Sequence, residues 1–257
     1  MGFFNLFMNE SKFFYYELKQ YWFEAITSTI FICAMFVALF YGVKSFALDD
    51  SSAQTATSLN GLLFGFLLWT FATGAYSSVT KIIIENNHKG TLEQLFMCPN
   101  GFVTIMLARA CVEMVFQVIL LTVMAILTMW LTGNWIDLNF AYFYLLLFIA
   151  APALIGVSFA VAGLALVFKR VESIGAMLNI AFMGLVALDA LPFNLWSLLP
   201  FASGASLTRD VILEGQAINI LHLGIVIANS LVYLTIGIAI YKVMEKRAKR
   251  KNLLCQY

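Results

Sequence analysis

The chain has 257 residues, a formal net charge of +1 and a mean hydropathy of +0.89, with 62% of its residues hydrophobic and 11% charged. Soluble domains carry roughly 45–50% apolar and about 25% charged residues, so a water-soluble globular fold is excluded. No basic tract interleaved with aromatics occurs outside the C-terminal tail, which argues against nucleic acid as a partner.

In chain order, the segment 1–24 sets Phe3, Phe4, Leu6, Phe7, Phe13, Phe14, Leu18, Tyr21 and Trp22 among Glu10, Lys12, Glu17, Lys19 and Glu24. Those charges rule out the uninterrupted apolar core of a cleavable signal. The mixture predicts an amphipathic helix lying along the membrane interface, with its aromatics at headgroup depth. Six apolar runs follow, at about 25–48, 59–84, 104–131, 140–168, 174–191 and 218–243. Roughly 20 apolar residues cross a hydrocarbon core of about 30 Å. The third and fourth runs exceed that length, so tilt or extension into the cytoplasm is expected. The fold class expected is an all-α polytopic membrane protein, one transmembrane domain over 1–257 with six transmembrane helices.

Basic residues orient the spans. With both termini cytoplasmic, only Lys44 and Arg209 of the 15 Lys and Arg fall outside, which satisfies the positive-inside rule. The segments 49–57 and 133–139 are then external, the second short enough for a tight hairpin. The stretch 192–216 is longer and mixed, with Pro192, Pro200, Trp196 and Arg209. It is expected to dip back into the outer leaflet as a re-entrant segment, where irregular backbone must be covered by protein or line a wet cavity. Pro192, Pro200 and Arg209 are candidates for an outer gate. The tail 244–257 begins with a basic cluster suited to anionic headgroups. Cys33, Cys98, Cys111 and Cys255 lack Cys-x-x-Cys spacing, and in spans or on the cytoplasmic side they predict neither disulfide nor metal site.

Between the second and third spans stands Gly90-Thr91-Leu92-Glu93-Gln94-Leu95-Phe96-Met97-Cys98-Pro99. Thr91 and Gln94 fit a capping box, and Glu93 complements the helix dipole in the first turn. Leu92, Leu95 and Phe96 share one face at i, i+3 and i+4, and Pro99 followed by Asn100-Gly101 is a hard stop. A two-turn helix with one apolar stripe rests on headgroups, or, beside Glu85, His88, Lys89 and Glu93, docks on a protein.

Gly-Thr-Leu-Glu-Gln-Leu followed shortly by Pro resembles the second-to-third-span loop of type-2 ABC-transporter permeases. The six spans, the N-terminal interfacial helix and the segment Leu199-Pro200-Phe201, Leu207-Thr208-Arg209-Asp210 and Gly215 before the last span are similar to that family over essentially the whole chain. One departure is Glu85-Asn86-Asn87-His88-Lys89, with amides where the family commonly alternates charges. The resemblance implies that Glu85, Gly90, Thr91, Leu92, Glu93, Leu95 and Phe96 form the coupling helix, seated in a cleft of an ATP-binding subunit. It also implies a second permease copy or paralogue, giving a homo- or heterodimer, and export along a path between the two halves. The chain itself has no Gly-x-x-x-x-Gly-Lys-Ser/Thr loop, so it is expected to bind no cofactor and to be no enzyme, ATP and Mg belonging to the partner ATPase.

Polar residues inside spans are functional candidates by default. Asn60, Gln117, Asn179 and Asn229 could line a translocation path, and interhelical hydrogen bonding explains them equally well. Arg109 and Glu113 are spaced for a local pair. Ser203 to Ser206 followed by His222 superficially suggests an intramembrane protease, but Arg209, Asp210 and Glu214 close behind argue for an external connection. Gly61, Gly65 and Gly74 in the second span and Gly156 and Gly163 in the fourth permit close helix approach, the second span being a candidate for the permease–permease contact. The 24 Phe and 11 Met suit an adaptable cavity or lipid exposure alike. The expected cargo is a hydrophobic or amphipathic small molecule or peptide. The alternatives are a lipid-linked glycan or polysaccharide, or an ATP-independent membrane enzyme or assembly factor. The expected setting is a bacterial cytoplasmic membrane.

Overall fold

The computed structural model describes residues 3–46, 53–89, 101–133, 135–136, 138–168 and 172–250. Helix α1 (Phe3–Gln20) leads through a one-residue bend at Tyr21 into α2 (Trp22–Phe46). The backbone bonds Tyr21 N→Glu17 O and Ala25 N→Tyr21 O carry the ladder across the bend. Then come α3 (Ala53–Lys89), α4 (Phe102–Thr132), α5 (Phe140–Val167), α6 (Glu172–Ala187), a 3-10 turn (Leu195–Leu198), α7 (Ala202–Ile212) and α8 (Ile220–Arg250). No strand occurs among the described residues.

Local chemistry explains several boundaries. Gly133 takes the left-handed conformation (φ 68°) that closes α4, and Asn139 caps α5 by accepting from the Tyr142 amide. Asn194 caps the 3-10 turn through Trp196 N and Ser197 N, while Ser197 reaches back to the Asn194 amide. The third and fourth spans do not form the packed hairpin that their short connection predicts. They meet marginally, with the Thr122 and Tyr144 hydroxyls 2.5 Å apart, because α4 packs on α1, α2 and α3 whereas α5 packs on α8 and α3.

Among the described residues, five helical segments are long and apolar enough to cross a membrane: Trp22–Ser45, Leu59–Asn86, Phe102–Thr132, Phe140–Val167 and Ile220–Arg250. The run expected at 174–191 is helical only as α6, 16 residues, about 24 Å at 1.5 Å per residue. The helix stops short of Pro192, whose ring disfavours helical backbone before it, and the Asn194 side chain donates to Asp189 O across the turn. Residues 244–250, expected as tail, prolong α8 instead, with Lys249 paired to Glu245 at 2.6 Å.

Helix α5 is the hub. It lies against α8 along most of its length, and against α3 and α7. At the α5–α8 crossing a Cβ on Gly237 would fall onto the Gly156 carbonyl, and one on Gly156 onto the backbone of Tyr233; further along, a Cβ on Gly163 would stand 3.0 Å from Tyr241 Cα. The backbones touch there, the close approach that small residues allow. Toward α3, Ser158 Oγ accepts from the Val79 and Thr80 amides at 3.2 and 3.1 Å, and Thr80 Oγ1 donates to Ser158 O at 3.1 Å. Gly74 makes room for the Gln117 amide, but a Cβ on Gly61 or Gly65 would meet nothing within 4 Å. Those two glycines therefore open no contact among the described residues. Helix α7 seats Gly204 on Ala150 of α5, and residues 201–208 are buried throughout.

Candidate functional site

Two ends of the bundle carry the polar chemistry. One, called the loop end here, holds α1, the end of α3, the start of α4 and the end of α8. The expected coupling residues Gly90, Thr91, Leu92, Glu93, Leu95 and Phe96 lie outside the described residues, whereas both anchors of their loop are described. On the entry side Glu85 is half-buried and 3.7 Å from Lys81, one turn back on α3. On the exit side Gly101 has φ 75°, a conformation that favours glycine. Phe102 then stacks on Tyr241 of α8 at 5.1 Å, and Tyr241 meets Phe159 of α5 edge-on at 5.7 Å. The loop thus returns at a packed aromatic platform.

Beside that platform Arg109 joins α4 to α1. The i,i+4 spacing predicts a local pair with Glu113, and that contact exists at 3.6 Å, but the shorter one, 2.7 Å, is to Glu17 of α1. The Arg109 side chain is only 14% exposed. Its guanidinium also lies 5.1 Å from the Phe13 ring, within cation–π range, and Phe14 packs on Phe116 at 4.8 Å. Glu10, two turns before Glu17 on the same face of α1, has its pKa raised chiefly by burial, with Arg109 opposing and Glu17 adding to the shift. Sequence reasoning missed Glu17. The one available signal was the α1 face shared by Phe13, Phe14 and Glu17, and a single helix does not reveal which partner that face meets.

The far end is built around the folded-back segment. Pro192 is exposed, Pro200 half-buried, and Phe201 enters α7 with φ 68° while buried against Phe71. Such a φ is uncommon for a bulky side chain and is held here by the packing around it. Arg209, in the last turn of α7, pairs with Asp189 at 2.6 Å and donates to the Val186 carbonyl at the end of α6. Asp210 beside it has its pKa raised, first by burial and then by Glu214.

The four path candidates separate. Gln117 Nε2 donates to the Thr70 and Phe71 carbonyls of α3, each at 3.2 Å. Asn229 Nδ2 donates to Ser197 O at 2.9 Å and Leu199 O at 3.2 Å, holding the 3-10 turn to α8, where Tyr233 OH adds a bond to Leu198 O at 2.8 Å. Asn179 is exposed on α6, and its backbone carbonyl accepts from Trp69 Nε1 at 3.0 Å. Asn60 is half-buried near the start of α3. Gln117 and Asn229 thus serve two different interfaces. Ser203 Oγ is buried without a hydrogen-bond partner, so it forms no pair with His222. Among the described residues no group of three His, Cys, Asp or Glu could hold a metal.

Spanning helices, a short apolar helix followed by a capped fold-back, and an amphipathic helix pinned to the base of a span define an integral membrane protein of the polytopic all-α class. The family model of the ABC-2 type transporter matches residues 3–213, and the chain belongs to that family. The match takes in α1 to α7. Membership makes the chain the membrane component of a transporter, not itself catalytic, and implies association with an ATP-binding subunit. Comparison with curated proteins and with solved structures gave no match.

Proposed function

We propose that the chain is the permease subunit of an ATP-driven exporter that moves a hydrophobic or amphipathic small molecule or peptide outward across the cytoplasmic membrane. The observation that carries this reading is the family match over residues 3–213. The capped, apolar-striped sequence at 90–99, followed directly by Phe102 packed on Tyr241 of α8, supports the docking role of that loop. The loop end is cytoplasmic, a placement that the distribution of basic residues supports. Helix α6, with the fold-back after it, supplies the sixth crossing. The ATPase, carrying ATP and Mg, grips Glu85 and the 90–96 segment. ATP-driven dimerisation of the ATPase subunits pushes on that loop and shifts α3 and α4 against a second permease copy or paralogue, and cargo leaves past the Arg209 clasp on the outer side.

The test is a pull-down of the detergent-solubilised protein from its native membrane, comparing wild type with Leu95→Asp. An ATP-binding subunit recovered with wild type and lost from the variant is the expected result. Recovery by both would move the docking surface elsewhere. Recovery by neither, with the permease intact and the complex stable to the detergent, would overturn the transporter reading.

A further inference from the structure

Helix α1 is more than an aromatic float on the headgroups. Three carboxylates, Glu10 and Glu17 of α1 and Glu113 of α4, surround the single guanidinium of Arg109, and Lys81 of α3 is close enough to act on Glu113. Arg109 donates to Glu17 Oε2 at 2.7 Å with Glu17 only 29% exposed and itself 14% exposed. Phe13 covers the guanidinium face and Phe14 packs on Phe116 one turn beyond Glu113. Charge pairing and ring packing thus converge on one patch of α1, whereas α1 touches its sequence neighbour α2 only sparingly. Helix α4 begins at Phe102, directly after the 90–100 loop, so Arg109 stands about 11 Å along the helix from the end of that loop.

We propose that the Glu17–Arg109–Glu113 cluster is a latch that fastens the interfacial helix to the base of α4, so that a push delivered through the loop moves α1 and α4 as one body. The coupling half of this inference rests on the ATP-driven reading above; the latch itself does not. A displacement of α4 then drags an 18-residue amphipathic helix through the headgroup zone. Through the bend at Tyr21 it also turns α2, which packs only lightly on α3.

The test uses the full chain in its own membrane, with Cys33, Cys98, Cys111 and Cys255 replaced and a reporter cysteine introduced by Leu6→Cys, on the buried side of α1. A soluble maleimide applied to inside-out vesicles modifies that thiol only when α1 lifts, so the rate follows the open fraction. Glu17→Gln should speed labelling about tenfold, a partly buried pair lying between exposed and fully buried ones. Glu17→Gln made on an Arg109→Gln background, where no guanidinium is left to pair with, should leave the rate where Arg109→Gln alone sets it. An unchanged rate in Glu17→Gln, or the same tenfold rise on the Arg109→Gln background, would overturn the latch. For the coupling half, permease-dependent ATP hydrolysis by the purified complex should fall in Glu17→Gln. Full hydrolysis in a variant whose α1 labels tenfold faster would overturn the coupling. A wild-type chain that recruits no ATPase would count against the transporter reading alone, because the labelling rates decide the latch without it.

Discussion

Replacing Gly237 by alanine should test the α5–α8 crossing directly. The new Cβ would stand 2.7 Å from Gly156 Cα and closer still to the Gly156 carbonyl, whereas carbon atoms pack at about 3.5–4.0 Å. The obstruction is backbone on both sides and no rotamer relieves it, so the two helices must separate by roughly 1 Å. A gap of that size forfeits a quarter to a half of each dispersion contact along the seam, and overpacking of this kind costs about 1–3 kcal/mol. Gly163→Ala, whose Cβ would stand 3.0 Å from Tyr241 Cα, should cost less. Gly65→Ala, with nothing within 4 Å, should be neutral or mildly stabilising, since alanine is the better helix former by about 1 kcal/mol. Thermal unfolding in one detergent should rank the three in that order, with Gly237→Ala about 4–8 °C below wild type for a loss near 2 kcal/mol in a chain of this size. A Gly237→Ala protein as stable as Gly65→Ala would refute the backbone contact.

Arg209→Gln removes the pair with Asp189 and weakens the hold on the Val186 carbonyl. A cysteine introduced by Ser206→Cys, buried in wild type, should then react several-fold faster with an impermeant thiol reagent applied from the outer side, and an unchanged rate would acquit the clasp. Glu10 carries a pH prediction. Its pKa on the docked α1 is raised above the ordinary 4.5, so the docked helix binds more protons than the lifted one between those two values. Docking is therefore strongest below the ordinary pKa and weakens as pH rises through the raised one. The Leu6→Cys labelling rate of wild type divided by that of Glu10→Gln should climb from acidic toward neutral pH, and a flat ratio would refute the linkage.

The sequence made the spans legible because apolar length is nearly a direct reading of bilayer thickness, and the observed helices keep to the expected runs with ends extended at α3 and α8. It misled over 174–191, where hydropathy counted Leu188 to Leu191 as membrane although Asp189, Pro192 and Asn194 turn the chain there. Arg109 was visible as half of an i,i+4 pair; its stronger partner, 92 positions earlier, was not. Helix periodicity reports which residues share a face and says nothing about which face meets which. Asn229 was visible as a polar residue in a span for the same reason, and its role as the hook for the 3-10 turn required the fold-back to be placed first. Gly156 and Gly163 were legible as small residues one above the other. Gly237 was not singled out, because its small neighbour at the same spacing is Ser230 rather than a second glycine, although it makes the tightest contact of the three.

The touching backbones of Gly156 and Gly237 also act as a fulcrum. With only backbone at that point, a tilt of α8 about it displaces no side chain there, whereas a shift of α8 toward α5 would drive backbone into backbone. From Gly237 the helix runs about 20 Å to Arg250 and about 26 Å to Ile220. A tilt of 5° would carry its basic end roughly 2 Å one way and its other end a little over 2 Å the other way. Asn229 and Tyr233, the residues holding the 3-10 turn, sit on that second arm, so a nudge at one face of the membrane arrives at the other with its direction reversed.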